Sequence, residues 1–267
     1  MKEIEIMNKL SVAVITKNEE DNIGRCLESL KWADEIVVVD SGSTDLTLEI
    51  CKKHQCKIHE SAWLGFSRTK QLAVDLCSYE WVLVMDADEE VTPELKTKII
   101  DTIKSPEFSG YRIKRRSFYL SKLIHHCGWN KDYPLRLFKK SKGIFNNKII
   151  HESIEIHDGK TGTINEVLLH YTYPDLSSHL SKINIYSTLG ATELFEKGKR
   201  SSIDKAMARG AFKFLKMYLL QGGFLDGRTG FVLCVNSAFG VYLKYLKLRE
   251  MCQRGKNGPA PATSVKK

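Results

Sequence analysis

Three short apolar runs, each closing on polar residues, constrain this chain more than any other feature: Leu10–Thr16 (LSVAVIT), Glu35–Asp40 (EIVVVD) and 81–85 (WVLVM). A run that is apolar at nearly every position suits a strand covered on both faces. Helical stretches separate the runs. Asp21 and Asn22 are placed to cap a helix through Trp32, with Ile23, Leu27 and Leu30 on one face. SGSTD then turns the chain into a helix over 46–54, 57–61 reads as a short third strand, and 67–77 as a helix. Pro93, with Glu94 behind it, opens a helix over 94–103. Strands and helices alternating at this spacing imply a parallel sheet with helices on both faces. From Gly110 the rhythm changes: 111–119 alternates apolar and basic residues, and 135–138, 148–155 and 167–173 read as further short strands. Beyond Pro174 the pattern is helical, over 176–197, 204–221 and 230–250.

Charge separates the two ends of the chain. The whole carries a formal +9, yet residues 188–267 hold 15 Lys/Arg against 5 Asp/Glu, so the positive excess sits in the final third. A basic face covering the whole protein would point to nucleic acid; a basic, apolar C-terminal segment points to an anionic membrane surface instead. Lys213, Lys216, Lys244, Lys247 and Arg249 surround aromatic residues there, as interfacial helices require. The last helix shows roughly fifteen mainly apolar residues, short of the ~20 that cross a bilayer, so the expectation is a peripheral pair of helices on the membrane, with packing on the catalytic domain as the alternative. Seven cysteines without a CxxC pair, behind an N-terminus with no apolar signal core, read as a reduced cytosolic protein.

In an open parallel sheet, ligands bind beyond the C-terminal ends of the strands. The first run ends in Thr16-Lys17-Asn18-Glu19, the second in Asp40-Ser41-Gly42-Ser43-Thr44-Asp45, and the third in Asp86-Ala87-Asp88-Glu89-Glu90. Two carboxylates one residue apart after a buried strand repel each other, and a divalent cation would relieve that repulsion. Mg2+ or Mn2+ suits oxygen ligands and bridges carboxylates to phosphates. An acidic loop that is only solvated, or that caps the next helix, is the plain alternative. The chain has no GxGxxG after the first strand and no GxxxxGK[ST], which disfavours a dinucleotide dehydrogenase and a P-loop NTPase.

The stretches VAVITKNEEDNIGRCLESL, EIVVVDSGSTD, GFSRTKQLA and WVLVMDADEE, in this order, resemble the donor-binding half of family 2 glycosyltransferases. GWNKDYPLRLFKK, IIHESI, LLHYTY and FLKMYLLQGGFLDGRTGF resemble the bacterial lipopolysaccharide-core glucosyltransferase-like branch. The resemblance implies a GT-A fold: α/β, Rossmann-like, with a mostly parallel central sheet, helices on both faces and a C-terminal helical segment. It implies a catalytic domain over 8–174 (donor half 8–105, acceptor half 106–174), a basic amphipathic helical region over 175–250 and a flexible tail over 251–267. It places Asp40 against the nucleobase near Thr16, Asn18 and Glu19, and Arg68 and Lys70 near the donor. It implies that Asp86 lies nearer the ribose and also stands among the metal ligands, that Asp88 is the direct metal ligand, and that His170 completes a Mg2+ or Mn2+ site. Glu152 stands where the family has its acidic base, although His151-Glu152 departs from the commoner Glu-Asp pair.

The implied reaction is inverting transfer from a nucleotide sugar, UDP-hexose as first guess, to a lipid-linked or lipopolysaccharide-core glycan. The implied setting is the cytoplasmic, inner face of the membrane, with no nucleic-acid partner. Transfer to a polyprenyl phosphate and a catalytically silent membrane scaffold are the rival readings. Trp129 is a candidate platform for an acceptor sugar, or core packing. The RIKRR run at 112–116 reads as a solvated strand face or an anion-binding one. Glu152 as a partner of Arg136 is the structural alternative to its role as base.

Overall fold

The three apolar runs form adjacent strands, and alternate side chains along each point to opposite faces of the sheet. In the computed structural model, which describes residues 8–146 and 153–257 (side chains through 254), β1 (Leu10–Thr16) lies between β2 (Glu35–Asp40) and β4 (Trp81–Asp86), both parallel to it. β3 (Lys57–Glu60) extends the parallel half beyond β2. Val12 and Val14 join Val38, Leu83 and Met85 on one face, under Ile23 and Leu27 of α1 (Glu20–Glu28), Cys51 of α2 (Thr47–Lys53) and Leu95 and Ile99 of α4 (Pro93–Lys104). Ala13, Val37, Val39, Val82 and Val84 point the other way, onto Ala73 and Val74 of α3 (Phe66–Asp75). Each fully buried Val, Leu, Ile or Met side chain contributes about 1.5–3 kcal/mol, and both faces need covering, hence the uninterrupted runs.

After α4, among the described residues, no α-helix separates successive strands, so nothing returns the chain parallel. β8 (Leu135–Lys139) pairs antiparallel with β4 and with β6 (Gly110–Tyr119), the latter ladder shifting register between Tyr111 and Arg112. The sheet runs β3-β2-β1-β4-β8-β6-β11-β5, with β11 at Thr161–Tyr173 and β5 at Glu89–Val91. β7 (Lys122–Leu123) is a short strand, and β9 (Gly143–Phe145) and β10 (Ile154–Ile156) form a separate antiparallel ribbon. Of the strand expected over 148–155, only residues 153–155 fall among the described ones, and there the strand runs Ile154–Ile156.

The first helix departs from its expected capping and length. Asp21 and Asn22 lie inside its first turn; Thr47 Oγ1 accepts from the Glu19 amide (2.8 Å) and Asp45 from that of Glu20 (3.2 Å), so the neighbouring loop supplies the cap. The helix stops at Glu28 rather than Trp32, where Ser29 Oγ donates to Cys26 O (2.7 Å) and accepts from Val91 N (3.1 Å). Opposite the strands' C-terminal ends, buried Glu35 accepts from Ser11 Oγ (2.5 Å), Ser78 N (2.7 Å) and Lys57 Nζ (2.5 Å). Burial pushes its carboxyl up, but Lys57 and the serines prevail and hold it at about 2.

The chain divides into two compact units, Met1–Phe118 with Lys131–Thr172, and Tyr119–Asn130 with Tyr173–Lys267. Residues 119–130, expected in the acceptor half, thus belong with the helices. The second unit holds α5 (Leu176–Glu196), α6 (Ile203–Leu215) and α7 (Gly227–Asn257), with α7 packed on the other two. The helix expected over 204–221 ends at Leu215 and widens into one π turn, Lys216–Leu220. α7 is longer than the 230–250 expected, and the helix Gly223–Arg254 is long and apolar enough, by length and composition, to cross a membrane. With the turn Gly223–Asp226 ahead of it, the helix is longer at both ends than expected, so length alone no longer argues against a span.

Candidate active site

The register of the parallel strands sets the polar residues level. Thr16 pairs with Asp40 and Ile15 with Asp86, so β1, β2 and β4 deliver these side chains to one edge of the sheet. Two loops are stitched together there. Asn18, at φ 53, accepts through Oδ1 from the Thr44 amide (2.8 Å), and its own amide donates to Ser43 Oγ (2.9 Å). Asp40 is buried and accepts from the amides of Gly42 (2.9 Å) and Ser43 (2.8 Å), with the Ser43 hydroxyl on its other oxygen. In this conformation Asp40 shapes its own loop. Thr16 Oγ1 and Ser41 Oγ beside it are buried without a hydrogen-bond partner among the described residues, as groups reserved for a ligand would be. Glu19 accepts from Asn22 (2.9 Å).

Asp86 faces two cations. Lys70 of α3 donates to Oδ1 (2.7 Å) and Arg136 of β8 to Oδ2 (2.6 Å). Burial pushes the Asp86 carboxyl up, but Arg136 and Lys70 outweigh it and hold it well below the ordinary carboxylate range. The repulsion expected between Asp86 and Asp88 is therefore relieved within the protein on the Asp86 side. Arg68, two residues before Lys70, is exposed.

Glu89, given no separate role on sequence, organises this cluster. It is fully buried and takes Arg136 (2.5 Å) and Arg115 (2.8 Å) on one oxygen and the Asp86 amide (3.0 Å) on the other. Arg115 also pairs with Asp132 (2.8 Å), so this member of the RIKRR run is a structural cation. Arg136 likewise has its partners in Asp86 and Glu89. Burial lowers both guanidiniums' affinity for their proton, but their carboxylates more than restore it. Ala87, Glu89 and Val91 are buried at alternate positions, but β5 spans only three residues, too few for a period in the sequence to mark an inward-facing acid.

That strand, β5, brings His170 to the site. It pairs antiparallel with β11, setting His170 opposite Glu89, and the Tyr171 amide donates to Asp88 O (2.8 Å). His170 Nε2 then lies 3.4 Å from Asp88 Oδ2, while Nδ1 meets Ser117 Oγ at 3.0 Å. The reading of Asp88–Glu90 as a helix cap fails, because Thr92 is the N-cap of α4. Next to the pair, Tyr171 donates to Glu90 (2.7 Å) and lies under Arg25 (3.6 Å from the ring centre). Burial and then Glu90 push the Tyr171 hydroxyl up to about 12. Glu152 and His151 lie outside the described residues. Trp129 belongs to the second unit, half-buried edge-on to Tyr119 (6.2 Å) and near Tyr173 (6.3 Å).

A family model described as Glycosyl transferase family 2 matches residues 11–155, more than half of the chain. The chain belongs to this family. It is a glycosyltransferase with the GT-A type of α/β fold. An uncharacterised glycosyltransferase of Rickettsia typhi is 32% identical to it over 263 residues, covering 94% of this chain and 90% of that protein. The lipopolysaccharide core biosynthesis glycosyltransferase LpsC of Rhizobium meliloti is 31% identical over 247 residues, covering 90% and 91%. Among solved structures, residues 1–349 of S. aureus TarS in complex with UDP-GlcNAc show 15% identity over 92% of each chain, with a TM-score of 0.45.

Whether this family 2 site fits a divalent cation is a question of donors and spacing. Adjacent ligands of an octahedral Mg2+ at about 2.1 Å stand about 3 Å apart, and Asp88 Oδ2 and His170 Nε2 at 3.4 Å approach that separation. Ser117 on Nδ1 leaves Nε2 facing Asp88. Among the described residues there is no group of three His, Cys, Asp or Glu side chains arranged to hold a metal. Asp88 and His170 would therefore supply two side-chain ligands to such an ion.

Proposed function

We propose that this glycosyltransferase moves a hexosyl group, with inversion, from a nucleoside-diphosphate sugar to a lipid-linked glycan of the lipopolysaccharide-core kind, at the cytoplasmic face of a membrane. One observation carries the donor half of this reading: Asp88 and His170 face each other at 3.4 Å beyond the end of β4. The acceptor half is supported by the 31% identity with LpsC, named for lipopolysaccharide core biosynthesis. UDP is the first nucleotide to test.

The residues divide the work. Thr16 and Ser41 offer unpartnered hydroxyls to the nucleoside, and Asp40, with Asn18, holds the loop that receives it. Glu19 and Arg68 lie beside that donor position in the proposed arrangement. Asp88 and His170 would hold a Mg2+ or Mn2+, which would supply positive charge to the departing diphosphate. Asp86, with both oxygens taken by Lys70 and Arg136, anchors the donor end of the site rather than serving as a main metal ligand. The acceptor hydroxyl attacks the anomeric carbon as the bond to the diphosphate oxygen breaks on the opposite face. A sugar hydroxyl is a weak nucleophile near neutral pH, so a carboxylate must take its proton as the new bond forms; Glu152 is proposed for that role on its motif, and Trp129 for contact with the acceptor glycan. Titration with a panel of nucleotide sugars, with and without Mn2+, tests the reading. Metal-dependent binding of one UDP-hexose is expected; no binding of any nucleotide sugar would overturn it.

A further inference from the structure

The helical unit has its residues turned inside out for a surface facing water. Of the twenty-one large apolar side chains exposed among the described residues, sixteen lie between Leu176 and Phe239. On α6 the small residues point inward: Ala206 and Gly210 are buried, and a Cβ on Gly210 would meet Tyr242 Cβ of α7 at 3.1 Å. Met207, Phe212, Leu215 and Leu219 point outward. Small residues between helices and large apolar ones outside are the arrangement of helices that pack in lipid. α7 continues the face with Phe231, Val235 and Phe239, exposed at four-residue spacing. The two stretches join, since Phe231 meets Phe214 at 5.9 Å and Tyr218 at 5.7 Å. At the connection between them, Leu220 is 80% exposed and Leu225 61%.

Charge identifies what covers this face. Residues 205–249 contain eight Lys/Arg and a single acid, Asp226. That acid is buried and accepts from the amides of His125 (3.1 Å) and His126 (2.8 Å), so the charge left around the apolar face is cationic. An apolar face ringed by cations matches an anionic lipid surface. The opposite face of α7 is protein core, with Leu233 and Cys234 clustered with Tyr119, Ile124, Cys127 and Met217. Lys247 near its end donates to Asn184 Oδ1 (2.7 Å) and Thr188 Oγ1 (2.7 Å) of α5. α7 packs on α5 and α6, and a helix held to its neighbours by such polar bonds is not a free-standing span, whatever its length.

We infer that the helical unit seats in one anionic leaflet as an interfacial wedge, with the turn over 219–225 entering the acyl region and α7 not crossing. The inference rests on the proposed membrane-seated acceptor for its purpose and on the unit's own surface for its geometry. The test is sedimentation of the full chain with phosphatidylglycerol–phosphatidylcholine vesicles. Leu220→Asp combined with Leu225→Asp should weaken binding at least tenfold with an unchanged melting temperature, both side chains being mostly exposed. Lys216→Gln with Arg228→Gln should weaken binding to anionic vesicles and leave the weaker binding to neutral ones unaltered. Cys252 of bound protein should react with an impermeant maleimide added outside sealed vesicles, with Cys252→Ser as control. Undiminished binding by the double Asp variant would overturn the wedge, as would shielding of Cys252 or a vesicle-indifferent dimer that the Asp pair dissociates. Metal-dependent hydrolysis of UDP-sugars without vesicles should be equal in wild type and the Asp variant. Its absence from both would count against the transferase reading and leave the vesicle result standing.

Discussion

Glu89 shows how much a single buried acid determines. It holds Arg115, Arg136 and the Asp86 amide, and without it two guanidiniums would face each other with a carboxylate missing between them. Breaking a buried ion pair by removing one partner costs about 3–5 kcal/mol. Glu89→Gln keeps the shape and one acceptor oxygen, so a loss of about 3 kcal/mol in urea unfolding is expected, together with a large fall in turnover; a loss under about 0.5 kcal/mol would show the network to be dispensable. Glu35, at the far edge of the sheet, should affect stability without touching turnover. Its folded value of about 2 lies below its ordinary 4.5, so its contribution is complete above pH 4.5 and is lost as the pH falls towards 2. Wild type should exceed Glu35→Gln by about 2 kcal/mol at pH 7, less than the full shift implies because Lys57 is exposed, and the gap should close at low pH. A gap that stays constant with pH would refute the assignment.

At the scale of elements, what was legible in the sequence was whatever repeats with a period. β1, β2 and β4 announce themselves because burial on both faces demands apolar residues at successive positions, and their ends then locate Thr16, Asp40 and Asp86. β5 was invisible because three residues carry no period, and what makes Glu89–Val91 a strand is its partner some eighty residues away in β11. That pairing is also why His170, recognisable only through resemblance, meets Asp88. The early end of α1 was hidden for the same reason: Ser29 is held by Val91. Two predictions belong here. Ser117→Ala removes the Nδ1 partner of His170 and should raise the Mn2+ concentration for half-maximal turnover about tenfold or more, with little change in stability; an unchanged metal dependence would mean His170 needs no orienting. Asn18→Ala places an alanine at φ 53 and removes the bond to the Thr44 amide, costing about 1–2 kcal/mol and weakening donor binding. Asn18→Gly should recover the backbone part of that cost but not the donor affinity.

For the whole molecule, the division of charge matches the proposed division of labour: the cationic excess lies with the helices and the acidic loops with the sheet. Vesicle binding should fall with added salt, because the cations act across a Debye length of about 8–10 Å at 0.10–0.15 M, while the apolar contribution persists. Catalysis asks something different of the fold, namely an edge where strands, loops and one distant histidine converge. The claim on which the rest depends is that Asp88 and His170 together bind the ion that carries the leaving diphosphate. The most direct measurement is UDP-hexose turnover against Mn2+ concentration in wild type, Asp88→Asn and His170→Ala, with melting temperature as the check on folding. Wild type should saturate with Mn2+, and each variant should lose at least a hundredfold at fixed Mn2+ while remaining folded. Turnover that needs no metal, or that survives both substitutions unchanged, would contradict it.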